Sequence, residues 1–179
     1  MKQDQILSLL EQYHPADAEE KNYRAAMIAF AQKYTDCFER SLEIGHFTAS
    51  SWLVDKDNTH ALLMHHTKLD RWFQLGGHCD GESDVLAVAL KEAQEESGIT
   101  AIAAVHDDIF DIDVHVIPEF KGIPEHIHYD VRFLLQVTSD EAIVQNSESK
   151  ELRWISKNPV DLPTQERSVT RMFEKWIQQ

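Results

Sequence analysis

A chain of 179 residues, 42% of them hydrophobic, can bury a core of its own and is too apolar to remain disordered, so one domain with an appendage is expected. The net charge of −14 leaves no basic excess to neutralise a phosphate backbone, which excludes a nucleic-acid polymer or an anionic membrane as the main partner. A small phosphate ester stays open, because bound metal ions can supply local positive charge.

The first residues, MKQDQILSLLEQ, contain no long apolar core, and no apolar run in the chain reaches membrane-spanning length. Apolar Ile6, Leu7, Leu9 and Leu10 predict a short helix over 3–13. After His14-Pro15, the spacing of Tyr23, Met27, Phe30, Tyr34 and Phe38 predicts a longer helix over 17–42, its aromatic stripe serving packing. Cys37 on that helix reads as a small buried hydrophobe. It is far from Cys79 and neither belongs to a CxxC pattern, so a reducing compartment and no disulfide framework are expected, which places the chain in the cytoplasm. Residues 1–44 are thus a helical N-terminal extension. It either caps a sheet or forms a homodimer contact.

Two strands follow over 46–54 and 61–66, joined through Asp55-Lys56-Asp57-Asn58. Trp72 and Phe73 lead into a glycine pair and a polar turn, Gly76-Gly77-His78-Cys79-Asp80-Gly81. A helix then starts near Ser83 or Asp84, both good N-cap types, and closes at Gly98. Glu92, Glu95 and Glu96 stand at i, i+3, i+4, within roughly 100° of arc. They continue the face carrying Val85, Val88 and Ala89, while Lys91 and Gln94 take the solvent side. Three carboxylates on a partly buried face repel and lose hydration unless something positive sits among them. A hard divalent cation with oxygen ligands relieves both costs. The plainer alternative is an acidic surface helix.

Beyond this helix, 102–105 and 110–117 read as strands. The second alternates Phe110, Ile112, Val114 and Val116 against Asp111, Asp113 and His115. A loop with Pro118, Gly122 and Pro124 leads to the clearest alternation in the chain. There Ile127, Tyr129, Val131 and Phe133 form an apolar face, and His126, His128, Asp130 and Arg132 a polar one. If these two strands pair as a hairpin, His115 comes near His126, His128 and Asp130, although the loop is too long to fix the register. Residues 139–150 read as loop, 152–155 as a short strand with Trp154 in the core, and 164–178 as a helix burying Val169, Met172, Phe173, Trp176 and Ile177.

Ten histidines are unevenly placed. His14, His60 and His106 fall at turns or strand ends, and His65 and His66 end a strand. His78 lies beside the glutamate helix and is a candidate to touch substrate or metal. The set His126, His128 and Asp130 is either a solvated strand face or a chelating one able to hold an additional transition metal.

The stretch 77–99 resembles the Nudix box, G-x5-E-x7-R-E-U-x-E-E-x-G-U with U aliphatic. Gly77, Glu92, Glu95, Glu96, Gly98 and Ile99 match it position by position. Ser83 stands at the first Glu, with Glu82 one residue early, and Lys91 at the Arg. Leu75 replaces the proline that usually precedes the two glycines. The resemblance to the Nudix (MutT-like) hydrolases covers about residues 45–160. It implies an α/β fold: an α/β/α sandwich with a mixed β-sheet, here occupying 45–179 after the extension. It also implies hydrolysis of a diphosphate linkage in a nucleoside diphosphate joined to another group. Gly77, through its carbonyl, and Glu92, Glu95 and Glu96 would bind Mg2+ or Mn2+, and Glu95 or Glu96, or a glutamate outside the box such as Glu148 or Glu151, would be the base. Arg71, His78, His128 and Arg132 are the candidate contacts to the small-molecule diphosphate substrate.

Two other readings belong beside this one. Isopentenyl-diphosphate isomerases share a Nudix-like fold, and Gly77-His78, Gly81-Glu82-Ser83 and His46 are similar to parts of their pattern. Their cysteine two residues before the histidine is Gly76 here, however, and they lack the full Glu-x-x-Glu-Glu run. A nucleotide-binding sensor without turnover would suit Ser83 and Lys91, but such domains usually lose the metal glutamates.

Overall fold

The structure is a computed structural model that describes residues 2–179. Helices α1 (Asp4–Gln12) and α2 (Ala18–Lys33) are followed by strands β1 (Gly45–Val54), β2 (His60–His66), β3 (Arg71–Phe73) and β4 (Leu75–His78). Then come α3 (Val85–Ser97), β5 (Ile102–Ala104), β6 (Asp111–Ile117), β7 (His126–Val137), β8 (Ser149–Ser156) and α4 (Arg167–Trp176), with a 3-10 turn at Pro159–Asp161 between the last two. Asp17 starts α2 by accepting the Glu20 N–H at 2.9 Å.

The predicted helix over 17–42 ends early, because Tyr34 is already extended (φ −117°, ψ 116°). Thr35 and Asp36 favour leaving a helix, and the chain turns back to the sheet, where the Cys37 carbonyl accepts the Phe47 N–H at 2.7 Å. Cys37 is therefore buried in a turn and not on a helix. Phe38 keeps its predicted burial by packing on Phe47. At the other end, Ile177 is 39% exposed, not buried, because α4 stops at Trp176.

All eight strands form one mixed sheet centred on β1. Strand β1 runs parallel to β7 from Gly45↔Ile127 to Val54↔Gln136. Its other edge changes partner along its length: Thr48–Ser51 pair with β4, and Leu53 and Val54 with β2. The sheet therefore forks, with β4 on one branch and β2, β3 and β8 on the other. Strands β5 and β6 both lie antiparallel to β7.

Alternation along β1 and β7 divides the apolar residues between two faces. Phe47, Ala49, Leu53, Tyr129, Val131 and Phe133 join a core shared with α1, α2 and α3, which contribute Ile6, Leu10, Met27, Phe30, Val85 and Ala89. Trp52, Val54 and Leu134 face the other way, under Val169, Met172, Phe173 and Trp176 of α4. Helices thus cover both faces of a mixed sheet, the expected α/β/α arrangement, with α1 and α2 packed into the main core. Among the described residues, no helix is long and apolar enough to cross a membrane.

Candidate active site

The glycine pair lies inside β4, opposite Ser50 and Ala49 of β1, where its neighbours leave little room for a side chain. A Cβ on Gly77 would stand 2.4 Å from Oε2 of Glu92, and one on Gly76 would stand 2.6 Å from the Cα of Ser50. After β4, the turn is held from three sides. Gly81 (φ +86°) donates its N–H to the Phe38 carbonyl at 3.0 Å, and Arg40 forks onto the Asp80 carboxylate. Glu82 accepts the N–H groups of Ser83 and Asp84 at 2.7 and 3.0 Å, which provides bracing although the acid sits one residue early. Asp84 then caps α3 through the Ala87 N–H at 3.0 Å, and Gly98 closes the helix in the left-handed region at φ +72°.

The three glutamates share a face but not an environment. Glu96 is 5% exposed, and its Oε2 accepts the Gly76 N–H at 2.8 Å, which ties the helix to the glycine pair. Burial drives its carboxyl up to about 8 despite that bond, and the charges of Glu92, Glu148 and Glu95 add to the rise. Glu92 lies against Gly77 and is also raised by burial, with Lys91 opposing and Glu95 and Glu148 reinforcing. Glu95 is exposed. Lys91 stands 3.4 Å from Glu92 and 3.5 Å from Glu95 on the solvent side of the helix. Three glutamates thus share one helix face with one lysine beside them, a donor set that fits a hard divalent cation. Of the two outside glutamates, Glu148 is near enough for its charge to raise Glu92 and Glu96, whereas Glu151 pairs with Arg153 at 2.8 Å.

The neighbouring residue on β4, His78, points to the opposite face from Gly77, and there it meets other histidines. His46, His78 and His128 each offer a ring nitrogen, and these atoms lie within 4.8 Å of one another. His126 stacks on His46 with ring centroids 5.1 Å apart. Burial lowers the basicity of both His78 and His128, to about 4 and about 2, with further lowering by nearby positive groups: Arg40 and His46 at His78, and His78 and His115 at His128. The hairpin of β6 and β7 has the register His115↔His128, so His115 joins the edge of the group while its Nδ1 bonds Asp113 at 2.9 Å.

Two polar-face residues of β7 have interior roles. Asp130, 2% exposed, accepts from Thr48, Ser50 and Arg132. Arg132, 1% exposed, also binds Asp111 at 3.0 Å and the Ser168 carbonyl at 2.8 Å. Arg132, expected to contact substrate, is thus placed in the interior, where its guanidinium neutralises buried aspartates. Arg71 is exposed and pairs with Glu166 at 3.1 Å, and no contact joins it to the glutamates. His78 and His128 come together, as part of the histidine group. His46 completes that group through the parallel register His46↔His128, which no local periodicity discloses.

The NUDIX domain family pattern matches residues 45–177, beginning at β1 and reaching past α4. Compared with curated proteins, the chain has no match. Among solved structures it is similar to an Ap4A hydrolase binary complex from C. elegans, at 18% identity and TM-score 0.58, over 73% of this chain and 93% of that one. A MutT protein from Methanosarcina mazei Go1 superposes with TM-score 0.56 at 19% identity, over 75% of this chain and 94% of that one. A NUDIX-family hydrolase from Clostridium perfringens reaches 25% identity and TM-score 0.54, over 73% and 95%.

Proposed function

The chain belongs to the Nudix family and is a Nudix-type pyrophosphohydrolase, and from that premise we propose that it cleaves the diphosphate linkage of a nucleoside diphosphate joined to another group. Glu92, Glu95 and Glu96, with the Gly77 carbonyl, would hold Mg2+ or Mn2+. The observation that carries this reading is the buried Glu96, tied to Gly76 and crowded by Glu92 and Glu148 with no fixed cation of its own. Bound there, the metal supplies charge neutralisation, polarisation of the phosphoryl group and a more acidic water.

The chain's own residues provide position and proton transfer. Glu96 is fixed in direction by the Gly76 N–H, and Glu92 by its packing on Gly77. In-line displacement of a phosphoryl group depends mostly on such positioning and electrostatics. The base is drawn from Glu95, Glu96 and Glu148. Glu95, beside Lys91, and Glu148 are exposed to an attacking water, whereas Glu96 is committed on one oxygen. The isomerase reading loses support, since Gly76 offers no thiol and Cys79 is 4% exposed with burial pushing its thiol far up. The extension, 1–44, serves as a cap on the catalytic domain, 45–179, and its helices already pack on their own sheet. Two free buried cysteines support a cytoplasmic protein.

Mg2+-dependent turnover across nucleoside diphosphate sugars, dinucleoside polyphosphates, ADP-ribose, NADH and nucleoside triphosphates tests the reading. Release of a nucleotide or of phosphate supports it. Nucleotide binding without turnover would favour a sensor, and conversion of isopentenyl diphosphate would favour the isomerase.

A further inference from the structure

We propose that His46, His78 and His128 form a second metal site, specific for a late first-row divalent cation of the zinc type and separate from the carboxylate site. Each ligand comes from a different strand. Thr48 on β1 pairs with His78 on β4, and His46 pairs with His128 across the parallel β1–β7 ladder, so three neighbouring strands each point one imidazole at the same spot. The ring centroids are 5.2, 4.9 and 5.0 Å apart, and one nitrogen of each lies within 4.8 Å of the others. Donors so spaced put a common centre within about 3 Å of each, and ring rotations of under about 1 Å reach the Zn–N distance of about 2.0–2.1 Å.

The strongest sign is His46. It is 3% exposed, and neither of its ring nitrogens has a hydrogen-bond partner. A buried, unpaired polar group is costly, and a ligand on it removes the cost. His126 borders the group: its Nδ1 donates to the Pro124 carbonyl at 2.8 Å, and its Nε2 lies at hydrogen-bond distance, 3.2 Å, from Nε2 of His128.

Ligand chemistry divides the two sites. Imidazole nitrogen suits zinc, copper, iron and nickel, while carboxylate oxygen suits magnesium and manganese. On β4 they are one residue apart and on opposite faces, Gly77 against Glu92 and His78 against His46. An ion held by the three histidines would fasten β1, β4 and β7 at the point where the box turn begins.

The test uses the full chain, stripped with chelator and titrated with Zn2+ by calorimetry and with Co2+ by visible absorption, both in excess Mg2+. The expected result is a single tight equivalent with a tetrahedral Co2+ spectrum. His78→Gln should weaken Zn2+ binding by at least about 100-fold. His128→Gln should do the same and serves if the first variant misfolds. The Glu92→Gln, Glu96→Gln double variant should keep both the affinity and the spectrum. Unchanged binding in the folded histidine variants, loss of binding in the glutamate variant, or absence of any tight equivalent would overturn the site. None of these readouts involves hydrolysis, so the catalytic proposal stands or falls separately.

Discussion

At the scale of single residues, Glu96 bears the most. Glu96→Gln should lose metal-dependent hydrolysis by about 100-fold or more while circular dichroism stays native, because the side chain keeps its volume and its Gly76 contact. The same residue makes metal-free stability depend on pH. Burial raises its folded-state carboxyl to about 8, above its unfolded value near 4.5, so the protonated form favours folding. That contribution is complete below about pH 4.5 and disappears as pH rises toward 8. Denaturant titrations in chelator should therefore show falling stability over this window. Mg2+ should restore more at pH 8 than at pH 5, and Glu96→Gln should abolish the slope it causes. Gly77→Ala places a methyl group against the Glu92 carboxylate and should weaken Mg2+ activation with little change in fold, read from the Mg2+ concentration giving half-maximal rate.

At the scale of elements, α4 is joined to the sheet by charge as well as by packing. Arg171 binds Asp111 at 2.9 Å, Asp113 at 2.9 Å and Glu19 of α2 at 3.2 Å, and is almost wholly buried. Arg171→Ala leaves buried aspartates short of a partner and should cost about 3–5 kcal/mol in denaturant unfolding. Burial alone would raise Asp111 and Asp113, but Arg132, Arg171 and, at Asp113, His115 hold them below the usual carboxylate range. Their stabilisation is present above about pH 4 and is lost as pH falls below it. The periodicities that predict these elements are local, and they hold where the decision is local. Asp84 and Gly98 bound α3, and alternation marks β7. Where partners are distant the sequence is silent. Arg132 and His128 share one polar strand face, yet the first is enclosed by Asp111 and α4 while the second meets His46 across a parallel ladder. The long helix over 17–42 fails for the same reason, since its aromatic stripe continues through a turn whose residues pack on β1. Spacing places Glu96 on one face with Glu92 and Glu95, but its bond to Gly76 and the influence of Glu148 come from the fold.

At the scale of the molecule, the N-terminal helices are part of the main core. Ile6, Leu10, Met27 and Phe30 are all buried, and Phe30 stacks on Tyr129 with centroids 4.1 Å apart. Tyr13 and Glu20 also bond Lys175 of α4, at 2.8 Å each, so both ends of the chain meet. A chain starting at residue 44 should expose Phe47 and Tyr129 and lose cooperative thermal unfolding, even though the family pattern begins only at residue 45. The sheet then presents two chemistries on opposite sides of one short strand, oxygen donors under α3 and nitrogen donors on the other face. The central claim concerns the first of these, and single-turnover hydrolysis of the best panel substrate by wild type and Glu96→Gln, with and without Mg2+, tests it most directly. Nucleotide release that requires both Mg2+ and Glu96 is the predicted result. Full activity in Glu96→Gln, or release independent of added divalent metal after chelation, would contradict it.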